Sequence, residues 1–306
     1  MRTATKTTKK TARVPRNPER IDWSARVESI LSGNAKLEKT PFGIPAVACG
    51  ISMAPAKRSG VVNVCEFATA ACIAACVLWF AGRTMTAVVR AAAIARTMLW
   101  HFRPDVFYSR LRRELSRFAA ACAADNVRGF VRLNTASDID HGTEIPSEFP
   151  TLTMYDYTKS VDRVLRYLRG FYPANYHLSL SVHESTSFAD VHAVLSAGGN
   201  VVVVVDSYYW GPSKRYGTLP AQVVFTGPDG SRITVPAVDG DISDIRTPEF
   251  DGRGVAICLR LKSQSNKVKD GARRTGFARP WSLGGKENSQ RFEFPTARGT
   301  MVARLK

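Results

Sequence analysis

The chain has 306 residues, of which 44% are hydrophobic, and a formal net charge of +17. This length and apolar fraction suit one large domain or two ordinary ones with a packed core, which excludes a wholly disordered chain. The longest uncharged apolar stretch, residues 68–81, is shorter than the roughly 20 residues that cross a bilayer, so we expect no membrane span.

Most of the excess positive charge lies at the two ends of the chain. Residues 1–20 carry seven Lys or Arg side chains against one acid, and residues 262–306 carry eleven against three. We predict a flexible basic leader at 1–20, a single α/β domain at 21–261 and a flexible basic tail at 262–306. Both ends would contact nucleic-acid phosphates without reading the sequence, and the alternative is a pair of solvated tails.

The first part of the body is predicted to be mainly helical. Residues 21–32 have apolar side chains at helical spacing and precede a glycine, which is typical of a helix end. Residues 36–50 contain two prolines and are predicted to be irregular. Two long helices are predicted over residues 83–103 and 104–124, the second beginning at a proline.

Between these segments lies a cluster of three cysteines with the spacing C-x6-C-x3-C, namely Cys65, Cys72 and Cys76. The last two stand four residues apart, so on a helix their sulfurs share one face. Three thiolates can hold a [4Fe-4S] cluster with one iron left open, whereas a structural zinc site needs a fourth ligand, for which Cys49 is a candidate. The alternative is that these cysteines are small apolar side chains in an alanine-rich segment.

From residue 129 onward, predicted strands alternate with predicted helices. The strands are residues 130–134, 151–157, 176–182 and 201–206, and the segments between the last three have a helical period. We therefore predict an α/β fold with a mainly parallel sheet, as an open or partial barrel, after N-terminal helices. A C-terminal β-hairpin appendage is predicted at residues 222–235, followed by a last buried strand.

Polar residues follow the predicted strands, at the edge where parallel α/β folds bind their ligands. The candidate catalytic residues are Asp138, accompanied by Asp140 and His141, then Lys159 as a cation for phosphate or carboxylate, and His183. The candidate cofactor-binding residues are Asn134, Asp156, Glu184 and Asp206. The simpler interpretations are that an Asp after a strand caps a helix and that a lysine in a loop is solvated.

Two further clusters lie toward the C-terminus. Asp239, Asp241 and Asp244 form a D-G-D-x-x-D run that can hold a divalent cation or form an acidic turn. The aromatic residues 208–210 follow the fourth predicted strand and can form a stacking platform for a base or cover the core.

Seven short motifs occur in a characteristic order along the chain. They are GNAKLEKTP (33–41), CEFATAACIAAC (65–76), RLNTASDI (132–139), YDYTKS (155–160), HLSLSVHES (177–185), GGNVVVVV (198–205) and DGDISDIR (239–246). In this order the chain resembles the gene 88 protein family of actinobacterial phages and plasmids, over roughly residues 30–262. The resemblance implies an origin in a mobile element and carries no settled activity.

A weaker similarity concerns the cysteine triplet before a helix, followed by alternating strands and helices. This arrangement is similar to the opening of a radical S-adenosylmethionine enzyme, whose three cysteines hold a cluster. That superfamily usually has the spacing C-x3-C-x2-C, from which this chain departs. The similarity therefore carries over only Cys65, Cys72 and Cys76, as cluster ligands, and does not extend to S-adenosylmethionine binding.

The sequence leaves two functions open. The first is a phage or plasmid enzyme associated with nucleic acid, with a cysteine-held iron–sulfur cluster or, as second choice, zinc. The second is a non-catalytic DNA- or RNA-binding protein with structural cysteines. In both cases we expect the host bacterial cytoplasm, because six cysteines in a chain of this length do not read as a disulfide framework.

Overall fold

The computed structural model describes residues 17–33, 37, 43–80, 86–207, 221–262, 266–281, 294–296 and 299–304. Two 3₁₀ turns, Pro18–Arg20 and Ser24–Arg26, open this part of the chain. The helices are α1 (Ala70–Ala74), α2 (Val77–Phe80), α3 (Ala87–Phe102), α4 (Pro104–Ala124), α5 (Ile145–Glu148), α6 (Val161–Leu168), α7 (Phe188–Ser196), α8 (Pro248–Asp251) and α9 (Asn266–Thr275). Among them, none combines the length and apolar character required to cross a membrane.

The strands of the same residues build a sheet that is mainly parallel. They are β1 (Leu31–Ser32), β2 (Ala46–Ile51), β3 (Arg128–Arg132), β4 (Thr153–Thr158), β5 (Tyr176–Ser181), β6 (Val201–Ser207), β7 (Gln222–Thr226), β8 (Arg232–Asp239), β9 (Ala256–Arg260), β10 (Arg279–Trp281), β11 (Phe294–Thr296) and β12 (Gly299–Arg304).

The sheet is open rather than closed into a barrel. Its strand order is β1-β2-β3-β4-β5-β6-β9-β8-β7-β12-β11, with β10 beside the end of β6. Every pair from β2 to β8 in this order is parallel, whereas β1 and the strands beyond β8 pair antiparallel. The predicted α/β fold, its mainly parallel open sheet and the β7–β8 hairpin are confirmed.

Two layers of side chains cover the sheet. The larger core lies where α3, α4, α6 and α7 pack on one face, with residues such as Leu111, Val131 and Met154. The other face carries smaller clusters, including Phe130 and Tyr155 around Ile245. Alternate residues of β3 and β4 therefore point to opposite layers, as the period of two of a strand requires.

The predicted helix over residues 21–32 is wrong, and a side chain from α4 accounts for the structure found instead. Glu114 accepts hydrogen bonds from the backbone N–H groups of Ile30, at 3.0 Å, and Leu31, at 2.8 Å. It also accepts one from the Ser29 hydroxyl at 2.8 Å. The Glu114 carboxylate therefore provides the acceptor for these donors. Leu31 can then pair with β2.

A strand replaces part of a segment predicted to be irregular, and ordered elements lie within the predicted basic tail. In the irregular segment, predicted over residues 36–50, residues 46–50 belong to β2, while residues 36 and 38–42 lie outside the described part. Within the predicted basic tail, α9 and β10 are ordered elements, and β10 pairs with the end of β6. Of the predicted leader, residues 1–16 lie outside the described part.

The role of Glu114 can be tested by its replacement with alanine. The variant loses three hydrogen bonds to a charged acceptor, so we expect the free energy of unfolding to fall by about 2–4 kcal/mol. The measurement is urea unfolding followed by circular dichroism.

The matched control is Glu148→Ala, which removes the same group from an ion pair with Arg112 whose side chains are 39% and 37% exposed. This loss should cost about 1 kcal/mol or less. Equal losses in the two variants would contradict the anchoring role of Glu114.

Candidate functional site

A cavity of about 230 Å³ lies at the carboxyl ends of the parallel strands. Its wall contains residues at the ends of β3, β4, β5 and β9, together with the segment that follows β2. The predicted site residues in the wall are Cys65, Cys72, Cys76, Asn134, Asp138 and Lys159. These six residues therefore lie together at the edge of the sheet where the carboxyl ends of the parallel strands meet.

The three cysteines reach the cavity from different local structures. Thr69 caps α1, because its hydroxyl accepts a hydrogen bond from the backbone N–H of Cys72 at 3.1 Å. The helix ends at Ala74, so Cys76 lies between α1 and α2 instead of sharing a helical face with Cys72. Cys65 lies in the preceding loop, where its thiol accepts from the Ala56 N–H and donates to the Ala136 carbonyl, both at 3.2 Å.

Burial governs the acidity of these thiols. It raises the pKa of Cys65 to about 12, and the hydrogen bond from Ala56 opposes this rise. Burial also raises the pKa of Cys72, although the nearby charge of Lys159 and a hydrogen bond from its side chain act in the opposite direction. A thiolate in this cavity would therefore need a compensating positive charge, such as that of a metal centre.

Asp138 connects three segments of the cavity wall. Its Oδ1 lies 2.7 Å from the Arg163 guanidinium, and its Oδ2 accepts from the backbone N–H of Lys159 at 3.0 Å. Its own N–H donates to the Val64 carbonyl at 2.7 Å, next to Cys65. Both carboxylate oxygens are therefore engaged, which suits a positioning residue better than an open general base.

Asp140 and His141 lie beside the ion pair between Asp138 and Arg163. Asp140 accepts from the Tyr172 hydroxyl at 2.8 Å. His141 is buried, and its Nδ1 lies 3.1 Å from the Tyr108 hydroxyl. Burial lowers the pKa of His141 to about 4, so the imidazole is neutral at pH 7.

Lys159 presents its ammonium group to the cavity. Its Nζ donates to the Ser181 hydroxyl at 2.8 Å and lies 5.9 Å from the centre of the Phe277 ring. Among the described residues, no Asp or Glu forms an ion pair with Lys159. Of the three predicted catalytic residues, Lys159 is therefore the one whose charged group, within the described part of the chain, remains available to a ligand.

Asn134 and Asp156 form a buried network behind the cavity wall. Asp156 accepts from the backbone and side-chain N–H groups of Asn134, at 2.6 and 2.9 Å, and from the Tyr176 hydroxyl at 2.9 Å. Asn134 also lines the cavity, whereas Asp156 points to the helix-covered face of the sheet. Its three hydrogen bonds fit a role in holding the end of β3.

His183 and Glu184 lie beside the cavity without forming its wall. The His183 Nδ1 accepts from the Ser185 N–H at 3.2 Å, and burial followed by the charge of Lys159 lowers its pKa. The charge of Glu184 acts on Cys72, raising the pKa of that thiol. The side chain of Asp206 and the aromatic residues 208–210 lie outside the described part.

The predicted acidic run forms ion pairs with basic side chains. Asp239 pairs with Arg260 at 2.9 Å, and Asp241 pairs with Arg260 and Lys262. Asp244 is buried against Arg132 at 3.2 Å and accepts from the Tyr155 hydroxyl. These acids are therefore neutralised by the protein itself, in agreement with the acidic-turn alternative.

The remaining cysteines are core residues. Cys49, Cys122 and Cys258 are buried, and Cys49 lies in β2 next to Cys122 on the helix-covered face. Cys49 is therefore not a fourth ligand for the cavity cysteines. Within the described part of the chain, no three His, Cys, Asp or Glu side chains are grouped closely enough to hold a single metal ion.

Several residues of the cavity region are not predicted from the sequence. Arg163 positions Asp138, while Arg132, Lys262 and Phe277 line the wall. Arg132 left a readable signal, because a charged residue inside an apolar strand needs a buried partner. Phe277 and Lys262 belong to the segment predicted to be a flexible tail, so no local sequence pattern relates them to the cavity.

Comparison with known proteins gives a family match. The model of the family described as gene product 88 matches residues 26–279, which is most of the chain and includes every residue that lines the cavity. Neither the curated proteins nor the solved structures give a match. None of these comparisons supports the similarity to radical S-adenosylmethionine enzymes.

The Asp156 network leads to a prediction about pH. Burial raises the pKa of Asp156 to about 6 from an ordinary 3.8. Between about pH 4 and pH 6 the folded protein then holds a proton on Asp156 that the unfolded chain has released, so this carboxyl contributes a fall in the free energy of unfolding as pH rises. Asp156→Asn removes that contribution, so the change in the free energy of unfolding from pH 4 to pH 6, measured by urea unfolding, should be more positive than in the wild type.

Other buried groups contribute to the remaining pH dependence, because burial also raises the pKa of Asp251 to about 6 and lowers the pKa values of His141 and His177 to about 4. Asp105→Asn is the control, since its hydrogen bond with Arg103 lowers the pKa of this exposed Asp and it stays ionised in the range. That variant should keep the wild-type slope. A wild-type slope in Asp156→Asn would show that the buried carboxyl titrates normally.

Proposed function

The chain belongs to the gene product 88 family, and from this premise we propose that it is a nucleic-acid-associated enzyme with an iron–sulfur cluster. The observation that carries the proposal is that Cys65, Cys72 and Cys76 line one cavity at the carboxyl edge of a parallel sheet. In such sheets this edge is where ligands bind and chemistry occurs. The proposed place of action is the host bacterial cytoplasm, whose reducing conditions keep thiols available.

The donor set favours a cluster over zinc. Three cysteines provide the soft sulfur ligands that iron–sulfur clusters use. Around one zinc ion the sulfurs would all lie about 2.3 Å from the metal, and no three described side chains are grouped that closely. A cluster binds each cysteine through a different iron, which suits ligands spread along a cavity wall, and its open iron would supply Lewis-acid or redox chemistry.

The other groups of the cavity have separate roles in this proposal. Asp138 and its partner Arg163 hold the cysteine segment against the Lys159 loop. Lys159 supplies positive charge beside Cys72, which favours a deprotonated sulfur there. His183, beside the cavity and near Lys159, is held as a neutral imidazole whose Nδ1 accepts from the Ser185 N–H, so its Nε2–H can donate to a ligand. S-adenosylmethionine is not part of the proposal, because the cysteine spacing departs from that superfamily.

Helix α9 supports the nucleic-acid part of the proposal. It carries Lys267, Lys269, Arg273 and Arg274 against one acid, Asp270. The helix packs on α1 through Ala272, which is buried against Ala75. A basic surface therefore adjoins the helix that carries Cys72, and phosphates bound there would lie near the cavity.

A second candidate function is a non-catalytic nucleic-acid-binding protein with structural cysteines. One observation favours it: the Cys65 thiol already donates to the Ala136 carbonyl and accepts from the Ala56 N–H. A thiol with both partners is satisfied without a metal. In that case α9 would still contact phosphates, but the protein would contain no iron.

Metal analysis of variants decides between the two functions. In anaerobically purified protein, Cys72→Ala should lose most of the iron and the brown visible absorbance, because one cluster ligand is missing. Cys122→Ala is the matched control, since Cys122 is buried in α4 away from the cavity. It should keep the wild-type iron content. Wild-type protein without iron would remove the cluster and leave the second candidate.

Salt dependence tests the role of α9. Lys267→Gln with Arg274→Gln removes two exposed charges from this helix. Each lost phosphate contact lowers the slope of log affinity against log salt by about 0.7–0.9, so a slope smaller by about 1–2 is expected. The measurement is fluorescence anisotropy with a labelled oligonucleotide between low and moderate salt.

The control removes the same charge from a different surface. Arg113 and Arg117 are exposed on α4, which packs on the opposite side from the cavity wall. Their double Gln variant should keep the wild-type slope. An equal change in both double variants would mean that net charge, and not α9, determines binding.

A further inference from the structure

Lys159 differs from the other basic side chains of the cavity wall in its partners. Arg132 is paired with Asp244 at 3.2 Å, Arg260 with Asp239 at 2.9 Å, and Lys262 with Asp241. Lys159 has no such carboxylate among the described residues. Instead, its Nζ donates a hydrogen bond to the Ser181 hydroxyl, and its side chain interacts with the Cys72 thiol.

The two acidic residues nearest to Lys159 interact with other groups. Asp138 accepts from the backbone N–H of Lys159, but its charge is matched by Arg163 at 2.7 Å. Glu184 acts on Cys72 and His183, and forms no described ion pair with Lys159. Within the described part of the chain, the half-buried ammonium group therefore forms no direct ion pair, which is a costly arrangement unless a ligand supplies the opposite charge.

The neighbours of the ammonium group are suited to an oxyanion. The Ser181 hydroxyl accepts from Nζ and can donate its own hydrogen to the same anion. The Phe277 ring lies 5.9 Å from Nζ in the same cavity, near enough for one ligand to reach both. Aromatic rings stack with nucleobases, and ammonium groups bind phosphates.

We infer that Lys159 and Ser181 form a phosphate subsite that holds one nucleotide in the cavity, with its base toward Phe277. The phosphate assignment rests on the proposed function, in which the partner is nucleic acid. The subsite itself uses side chains that ligate nothing in the proposed cluster. It therefore assigns a substrate-binding role to a pair of residues at the ends of β4 and β5.

The test uses the full chain and adenosine monophosphate as the probe, measured by isothermal titration calorimetry. Lys159→Met removes a charged hydrogen-bond donor, so affinity should fall about 10- to 100-fold. Ser181→Ala removes a neutral donor and should weaken binding about 2- to 10-fold. Lys262→Met is the matched control, since its charge in the same wall is neutralised by Asp241, and it should bind like wild type.

Several outcomes would overturn the inference. For the variants, these outcomes are no binding of the probe to wild type, unchanged affinity in Lys159→Met, and equal losses in Lys159→Met and Lys262→Met. For the ligands, they are adenosine binding as tightly as its monophosphate, and succinate competing with the probe as well as inorganic phosphate does. Thermal unfolding of each variant establishes that it is folded, and Ser181→Ala keeps the subsite testable if Lys159→Met is unstable.

Iron content separates this inference from the proposed function. Ser181→Ala that keeps wild-type iron but weakens nucleotide binding supports the subsite, because Ser181 has no role at the cysteines. Iron-free wild-type protein that binds the nucleotide through Lys159 also supports the subsite, while it removes the cluster.

Discussion

The cavity depends on the buried ion pair between Asp138 and Arg163. Their side chains are only 9% and 7% exposed, and breaking such a pair leaves an uncompensated charge in the interior. Through its other contacts, Asp138 also holds the backbone of Lys159 and the carbonyl of Val64. The carboxylate of Asp138 therefore joins α6 to the Lys159 loop, and its backbone N–H joins both to the cysteine segment.

Strand alternation decides which strand-end residues reach the cavity. The order of strands and helices along the chain predicts the edge of the sheet at which the cavity lies, because carboxyl ends of parallel strands meet there. That order does not predict on which face of the sheet each side chain lies. Tyr157 faces the cavity and Asp156 the helix layer, and since both faces of a parallel sheet are buried, polarity along β4 does not distinguish them.

Long-range contacts explain the parts of the fold that were predicted incorrectly. Helix α4 and the strands β3 to β6 have strong local periods and were predicted within a few residues. Residues 21–32 also have a helical period, but Glu114 accepts the N–H groups of Ile30 and Leu31 from more than 80 positions away. No local pattern contains that information, and the same holds for α9, whose place is set by Ala75 of the cysteine segment.

The limits of the family match bear on where the function lies. The match spans residues 26–279, and the cavity wall runs from Pro55 to Phe277, so the whole wall is inside it. The basic leader, residues 1–20, is entirely outside, whereas α9 is inside and packs on α1. Because α9 packs on α1, which carries Cys72, the basic side chains of α9 and the thiols of the cavity belong to one packed structure. A phosphate chain bound on α9, as proposed, would lie beside those thiols.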